Sequence, residues 1–208
     1  LGAGLSGNLD ADYACIEIDE ASTRRVFPHF KPDYMVLTNL FRDQLDRYGE
    51  VTHTLDNIRI GIQHSPNATL CLNADDSLTA SLHDDVENPV IFYGVNTPIY
   101  KDRVDEVSDA PYCIRCKHEY VYDYVTYGHL GGYHCPNCGY GRPEPQIAIT
   151  EVVSSDAERS QVVFGTAQGS YPATINLPGG YNIYNACACM AAGSAMGLEE
   201  QTVVDSLS

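Results

Sequence analysis

The first third of the chain alternates short apolar runs with polar breaks. Residues 13–18 (Tyr-Ala-Cys-Ile-Glu-Ile) form an apolar run closed by the acidic turn Asp19-Glu20, which reads as a buried strand. Residues 33–38 form a second run, bracketed by Pro32 and Asn39. The stretch between them, 21–30, has the length of a short helix or a loop. From 49 to 64 the apolar positions Val51, Leu55, Ile58 and Ile62 recur at helical spacing. Two further short runs, 68–72 and 89–93, read as strands. Strands alternating with helical segments predict an α/β fold with a mostly parallel sheet and flanking helices.

The pattern then changes. Residues 102–111 are acidic and irregular, and a cysteine-containing module follows as far as Pro145. Its interior, 120–127, is rich in Tyr and Val, as the strands of a small ribbon would be. Beyond it, 147–153, 161–166 and 171–177 predict three antiparallel strands separated by the polar turns 154–158 and 167–170. Pro178-Gly-Gly180 punctuates the chain, residues 181–196 form a helix of small residues stopped by Gly197, and a last helix begins near Glu199. This divides the chain into a first α/β part (1–108), an inserted module (109–145) and a second part (146–208) carrying a small antiparallel sheet.

The module carries the most specific chemistry. Cys113-Ile-Arg-Cys116 and Cys135-Pro-Asn-Cys138-Gly139 are two Cys-x-x-Cys pairs separated by eighteen residues. Two intervening residues let both thiolates of a tight turn face one ion, and Gly139 can take the positive φ such a turn needs. This spacing is that of a four-cysteine zinc ribbon. Two disulfides would imply a secreted chain, and a thioredoxin-like motif needs only one pair in a βαβ context.

Composition narrows the function classes. A formal net charge of −16 over 208 residues argues against a nucleic-acid partner, because phosphate binding rests on clustered Lys and Arg. The module's Arg115, Lys117 and His118 are offset by Glu119 and Asp123. Cys15, Cys71, Cys187 and Cys189 lie in apolar surroundings and are expected to be buried thiols of a reducing compartment. No run reaches the length of a membrane span and no signal peptide is visible. The expectation is a soluble, cytoplasmic protein that does not span a membrane. The opening on Leu1 rather than Met suggests a piece of a longer protein. The glycines near it lack the Gly-Lys-Thr/Ser of a phosphate loop.

Three segments outside the module have site-like chemistry. Glu17 would stand near the C-terminal end of the first strand, the edge where open α/β sheets collect ligands and where a carboxylate can hold magnesium; a solvated acidic turn is the plainer reading. Residues 38–47 place Thr38, Asn39, Arg42, Asp43, Gln44 and Asp46 at the same edge, although Asp43 or Asp46 could simply cap the following helix. Asn182 and Asn185 stand one turn apart on one helix face, and their amides could pair with the edge of an adenine, while an ordinary helix cap is the plainer reading of Asn182.

These segments, in this order, resemble the central ATP-binding domain of the Mur ligases, enzymes that form amide bonds in peptidoglycan precursors. The stretch Asp33-Tyr-Met-Val-Leu-Thr-Asn-Leu-Phe-Arg-Asp-Gln-Leu-Asp-Arg-Tyr-Gly-Glu50, with the four-cysteine insert, is similar to the MurT branch of that family. The resemblance runs from about Ala11 to the end of the chain. It implies that Glu17 binds magnesium, that Asp43 and Gln44 occupy the position of the family's Asp-His pair, and that Asn182 and Asn185 lie beside the adenine of ATP. Gln44 departs from the usual His, and Arg59 stands near where several relatives carry a modified lysine. The implied reaction activates the α-carboxylate of D-glutamate in the lipid II stem peptide with ATP and amidates it with ammonia from a glutaminase subunit, GatD. The competing class is a non-catalytic zinc-ribbon interaction module on an α/β scaffold, which would not need Glu17, Asp43 and Asn185.

Overall fold

The computed structural model describes residues 11–40, 48–99 and 111–207. Six strands form one mixed sheet: β1 (Tyr34–Leu37), β2 (Thr69–Asn73), β3 (Val90–Val95), β6 (Ile147–Ser155), β7 (Ser160–Thr166) and β8 (Gly169–Ile175), in the spatial order β1-β2-β3-β6-β7-β8. The first four are parallel, with Tyr34 opposite Thr69, Leu70 opposite Val90 and Tyr93 opposite Ile147. The last three form an antiparallel meander. Those three strands thus extend the parallel sheet. The separate two-stranded sheet is the hairpin of β4 (Val121–Tyr127) and β5 (Leu130–His134) inside the cysteine module.

Both faces of the parallel part are covered, as such sheets require. Period-two alternation sends Leu70 and Leu72 to one side and Cys71 to the other. On the first side, Met35, Leu70, Leu72 and Phe92 pack against Phe27 after α1 (Glu20–Val26), against Leu55, Ile58 and Ile62 of α2 (Tyr48–Gln63), and against Leu78 and Ala80 of the short α3 (Ser77–Ala80). On the second, Tyr93, Val95, Ile147, Ile149 and Phe164 pack against Ile183, Cys187 and Met190 of α4 (Gly180–Ala195) and Val203 and Val204 of α5 (Glu200–Ser206). Leu130 of the cysteine hairpin, 1% exposed, belongs to this second core.

Two expectations change. Residues 11–19 make no strand, and Tyr13 and Ile16 are 68% and 54% exposed. A strand is stabilised by a hydrogen-bonded neighbour, and β1 pairs only with β2, so the apolar run has no partner among the described residues. Cys15 and Cys189 are exposed rather than buried, whereas Cys71 and Cys187 are buried as expected. Asp43 and Gln44 lie outside the described residues.

Candidate metal centre and the polar edge of the sheet

The four cysteine sulfurs converge. Those of Cys113, Cys116, Cys135 and Cys138 all lie within 4.8 Å of one another, the group among the described residues able to hold a metal ion. Cys113 and Cys138 are 3.6 Å apart and Cys116 and Cys135 3.4 Å. A zinc ion with bonds of about 2.3 Å sets tetrahedral sulfur–sulfur edges of about 3.8 Å, so the residues present fit that ion.

Two near-identical turns build the centre. In the first, the Cys113 amide donates to the His118 carbonyl at 2.7 Å and the Lys117 amide to the Cys113 carbonyl at 2.9 Å. In the second, the Cys135 amide donates to Tyr140 at 2.7 Å and the Gly139 amide to Cys135 at 3.0 Å. Each turn closes on a left-handed residue, Lys117 (φ 64°) and Gly139 (φ 75°), which only glycine adopts without cost. The Asn137 side chain, with the His118 backbone, draws the Cys116 thiol down to about 6. Cys138 is favoured by the Tyr140 amide, yet burial and the neighbouring sulfurs push it up to about 12. Beneath them Tyr120, Tyr133 and Tyr140 form a buried aromatic layer, with Tyr120 and Tyr133 edge to face at 5.0 Å. Arg115 lies 4.3 Å above the Tyr140 ring and grips Asp84 with two nitrogens, at 2.9 and 3.2 Å.

At the C-terminal ends of β2 and β3, where ligands of open α/β sheets collect, stand two fully buried acids that the sequence reading passed over. Asp75 accepts from Arg142 Nε at 2.5 Å, the Tyr184 hydroxyl at 2.6 Å and the Val95 amide at 2.8 Å. Burial pushes its carboxyl up, against the pull of Arg142 and these donors. Arg142 continues to Asn96 Oδ1 at 2.8 Å, and Thr126 of β4 hydrogen-bonds Tyr184. A Cβ on Gly94 would sit 2.6 Å from Asp75 Oδ1 and 2.8 Å from Arg142, so the bare backbone there makes room for the ion pair. Asp76 accepts from the Leu40 amide at 2.8 Å, the Leu78 amide at 3.0 Å and the Thr79 hydroxyl at 2.5 Å, and lies 3.6 Å from His129 Nε2. The available signal was Asn73-Ala-Asp75-Asp76, a polar cluster directly after an apolar strand.

This network joins the module to the α/β body. Arg142, Thr126, His129 and Leu130 come from the module, Asp75 and Asp76 from the end of β2, and Tyr184 from α4.

The other sequence candidates fall at separate places. Glu17 is exposed just before α1, whose cap is Asp19: its carboxylate accepts from the Ser22 amide at 2.9 Å and hydroxyl at 2.8 Å. Asn182 and Asn185 do share a face of the first turn of α4. Asn182 is buried and donates to the Pro178 carbonyl at 2.7 Å, while exposed Asn185 donates to Asn182 Oδ1 at 3.2 Å. The asparagine pair is therefore preorganised, with Asn185 outermost.

No family profile matches the chain. Known proteins do. The subunit MurT of lipid II isoglutaminyl synthase (glutamine-hydrolyzing) from Streptococcus pneumoniae is 33% identical over 95% of this chain and 43% of its own length. The protein of the same name from Staphylococcus aureus is 33% identical over 91% of this chain and 41% of its own. A UDP-N-acetylmuramoylalanine–D-glutamate ligase from Pelotomaculum thermopropionicum is 25% identical over 95% of this chain and 32% of its own. Among solved structures, a pseudomurein peptide ligase type C from Methanothermus fervidus superposes with a TM-score of 0.70 at 23% identity, over 84% of this chain and 33% of that one. MurF from Acinetobacter baumannii superposes with a TM-score of 0.59 at 14% identity, over 89% and 30%.

The fold is that of the Mur ligases. Within that class the chain is a homologue of the MurT subunits, and it spans less than half the length of these relatives. No helix among the described residues is long and apolar enough to cross a membrane.

Proposed function

We propose that this chain is the central domain of the ATP-dependent ligase subunit of a lipid II isoglutaminyl synthase. The observation that carries the reading is the 33% identity to MurT over 95% of the chain, joined to a four-cysteine centre on a Mur ligase fold. In this reading residues 1–108 and 146–208 form the central domain, and 109–145 are its zinc-binding insert. The protein works in the cytoplasm, with a glutaminase subunit of the GatD type supplying ammonia and with lipid II as acceptor at the membrane surface.

The chemistry has two steps. An oxygen of the stem-peptide α-carboxylate takes the γ-phosphoryl group of ATP, releasing ADP. Ammonia then attacks the activated carbonyl carbon, phosphate leaves, and the nitrogen loses a proton to give the amide. The chain's share is to hold and align. Asn182, held by Pro178 and Asn185, would set Asn185 against the adenine edge. Glu17, Asp43 and Gln44 would hold magnesium, which when bound offsets charge on the transferring phosphoryl group. Cys113, Cys116, Cys135 and Cys138 would hold zinc as a closed structural site, since four thiolates complete its tetrahedron.

The test uses the full-length protein with its glutaminase partner, glutamine and ATP. Release of ADP should depend on lipid II bearing a free α-carboxylate. ATP turnover indifferent to lipid II would remove the assignment.

A further inference from the structure

The backbone leaving β1 is clamped by two buried side chains, one from β3 and one from the loop after β2. Tyr93 of β3, 1% exposed, donates its hydroxyl to the Leu37 carbonyl at 2.9 Å and lies 3.4 Å from that of Thr38. Asp76, after β2, is fully buried and receives the Leu40 amide at 2.8 Å. Within four residues the chain is thus fixed at two carbonyls and one amide, while Thr38 stays exposed and Asn39 half-buried. Both anchors are held in turn. Asp76 also binds the Leu78 amide and the Thr79 hydroxyl, and Tyr93 sits in the core shared with Ile147, Tyr184 and Cys187.

Folding alone does not call for this arrangement. A phenylalanine would fill the core at 93 without burying a hydroxyl that must find a partner, and an exposed acceptor suffices to cap a helix as short as α3. Two buried polar groups spent on one turn suit a turn whose position matters, and this one lies at the sheet's ligand edge.

We infer that Tyr93 and Asp76 are positioning residues that hold the Thr38–Asn39 turn in register for the ligase reaction. The inference rests on the function proposed above and adds residues that contact the turn rather than the reactants.

Tyr93→Phe in the full-length protein keeps the volume and removes only the hydroxyl. Amide exchange should rise in residues 38–40 while the rest of the sheet keeps its protection. The kcat of lipid II amidation should fall about tenfold to a hundredfold, the scale of a small misplacement, with KM for ATP little changed. Adding Tyr93→Phe to Asn39→Ala and to Thr38→Ala should lower kcat no further than one of these turn variants alone, because the clamp acts through the turn. Asp76→Asn, which keeps an acceptor for the Leu78 cap, should repeat the pattern. Unchanged kcat with reduced thermal stability would make the clamp merely structural and overturn the inference. So would multiplicative losses with both turn variants. If the wild-type protein shows no amidation, the ligase reading falls by itself, and the exchange data decide this one: no local rise in exchange overturns it.

Discussion

Replacing Arg142 by Met is the sharpest probe of how the cysteine module is joined to the α/β body. Arg142 is the cationic partner of Asp75, whose carboxylate is fully buried while the arginine side chain is 10% exposed. Met preserves much of the volume over Tyr124 but leaves Asp75 with neutral donors only, Tyr184 and the Val95 amide. Removing one partner of a buried pair costs about 3–5 kcal/mol, because the remaining charge is uncompensated. For a chain of this size each kcal/mol moves the melting temperature by about 2–4 °C, so the midpoint should drop by about 6–20 °C. Arg115→Ala, which breaks the exposed pair with Asp84, should cost far less. The deficit also has a defined pH dependence. Asp75 already titrates above its ordinary 3.8, and losing Arg142 raises it further. A group raised in the folded state is most favourable below its unfolded value, and its contribution is lost as pH rises through the folded value. The Arg142→Met deficit should therefore be largest near neutrality and shrink as pH falls toward 3.8. Adding Asp75→Asn should recover part of it. Circular-dichroism melts across pH measure all of this, and an Arg142→Met protein no less stable than Arg115→Ala would refute the reasoning.

Purified protein should carry about one equivalent of zinc by elemental analysis, and Cys135→Ser should lose it. Because Leu130, Thr126 and His129 of the hairpin are buried against the body, calorimetry of that variant should show the main transition shifted down rather than only a separate module melting. Tyr184→Phe, which takes a donor from Asp75 and the partner of Thr126, should cost about 1–3 kcal/mol in urea denaturation. Burial opposes ionisation of Asp76, yet His129, Thr79 and the Leu40 amide hold its carboxyl below 3.8. A depressed group stabilises above its unfolded value and ceases to as pH falls through the folded one. The stability advantage of wild type over Asp76→Asn should accordingly be full near neutrality and vanish in acid; an advantage that grows on acidification would contradict the geometry.

Much of the fold is legible in the sequence where the signal is local. Leu55, Ile58 and Ile62 at helical spacing are all buried in α2, and the turn residues after 153 and 166 mark the β6-β7-β8 meander. The cysteine spacing marks the four sulfurs that the structure gathers into one cluster. What escapes is non-local. The pairing of Tyr93 with Ile147, which fuses the antiparallel strands to the parallel sheet, spans the whole module and leaves no mark in either strand. The apolar run 13–18 has strand composition, but composition supplies no neighbour to pair with. Asp75 and Asp76 look like surface acids in a linear reading. Their burial depends on Arg142 and His129, which stand far away in the chain, and only the folded hairpin brings them there.

Full-length protein, its glutaminase partner, ATP, glutamine and lipid II should yield lipid II whose stem-peptide D-glutamate α-carboxylate has become an amide, detected by mass spectrometry of the muropeptide. Glu17→Ala should abolish that product while the protein keeps its fold and zinc, because a carboxylate that holds magnesium is missed most when charge develops on the phosphoryl group. An unmodified carboxylate after reaction with the wild-type enzyme, or full amidation by the Glu17→Ala enzyme, would contradict the account.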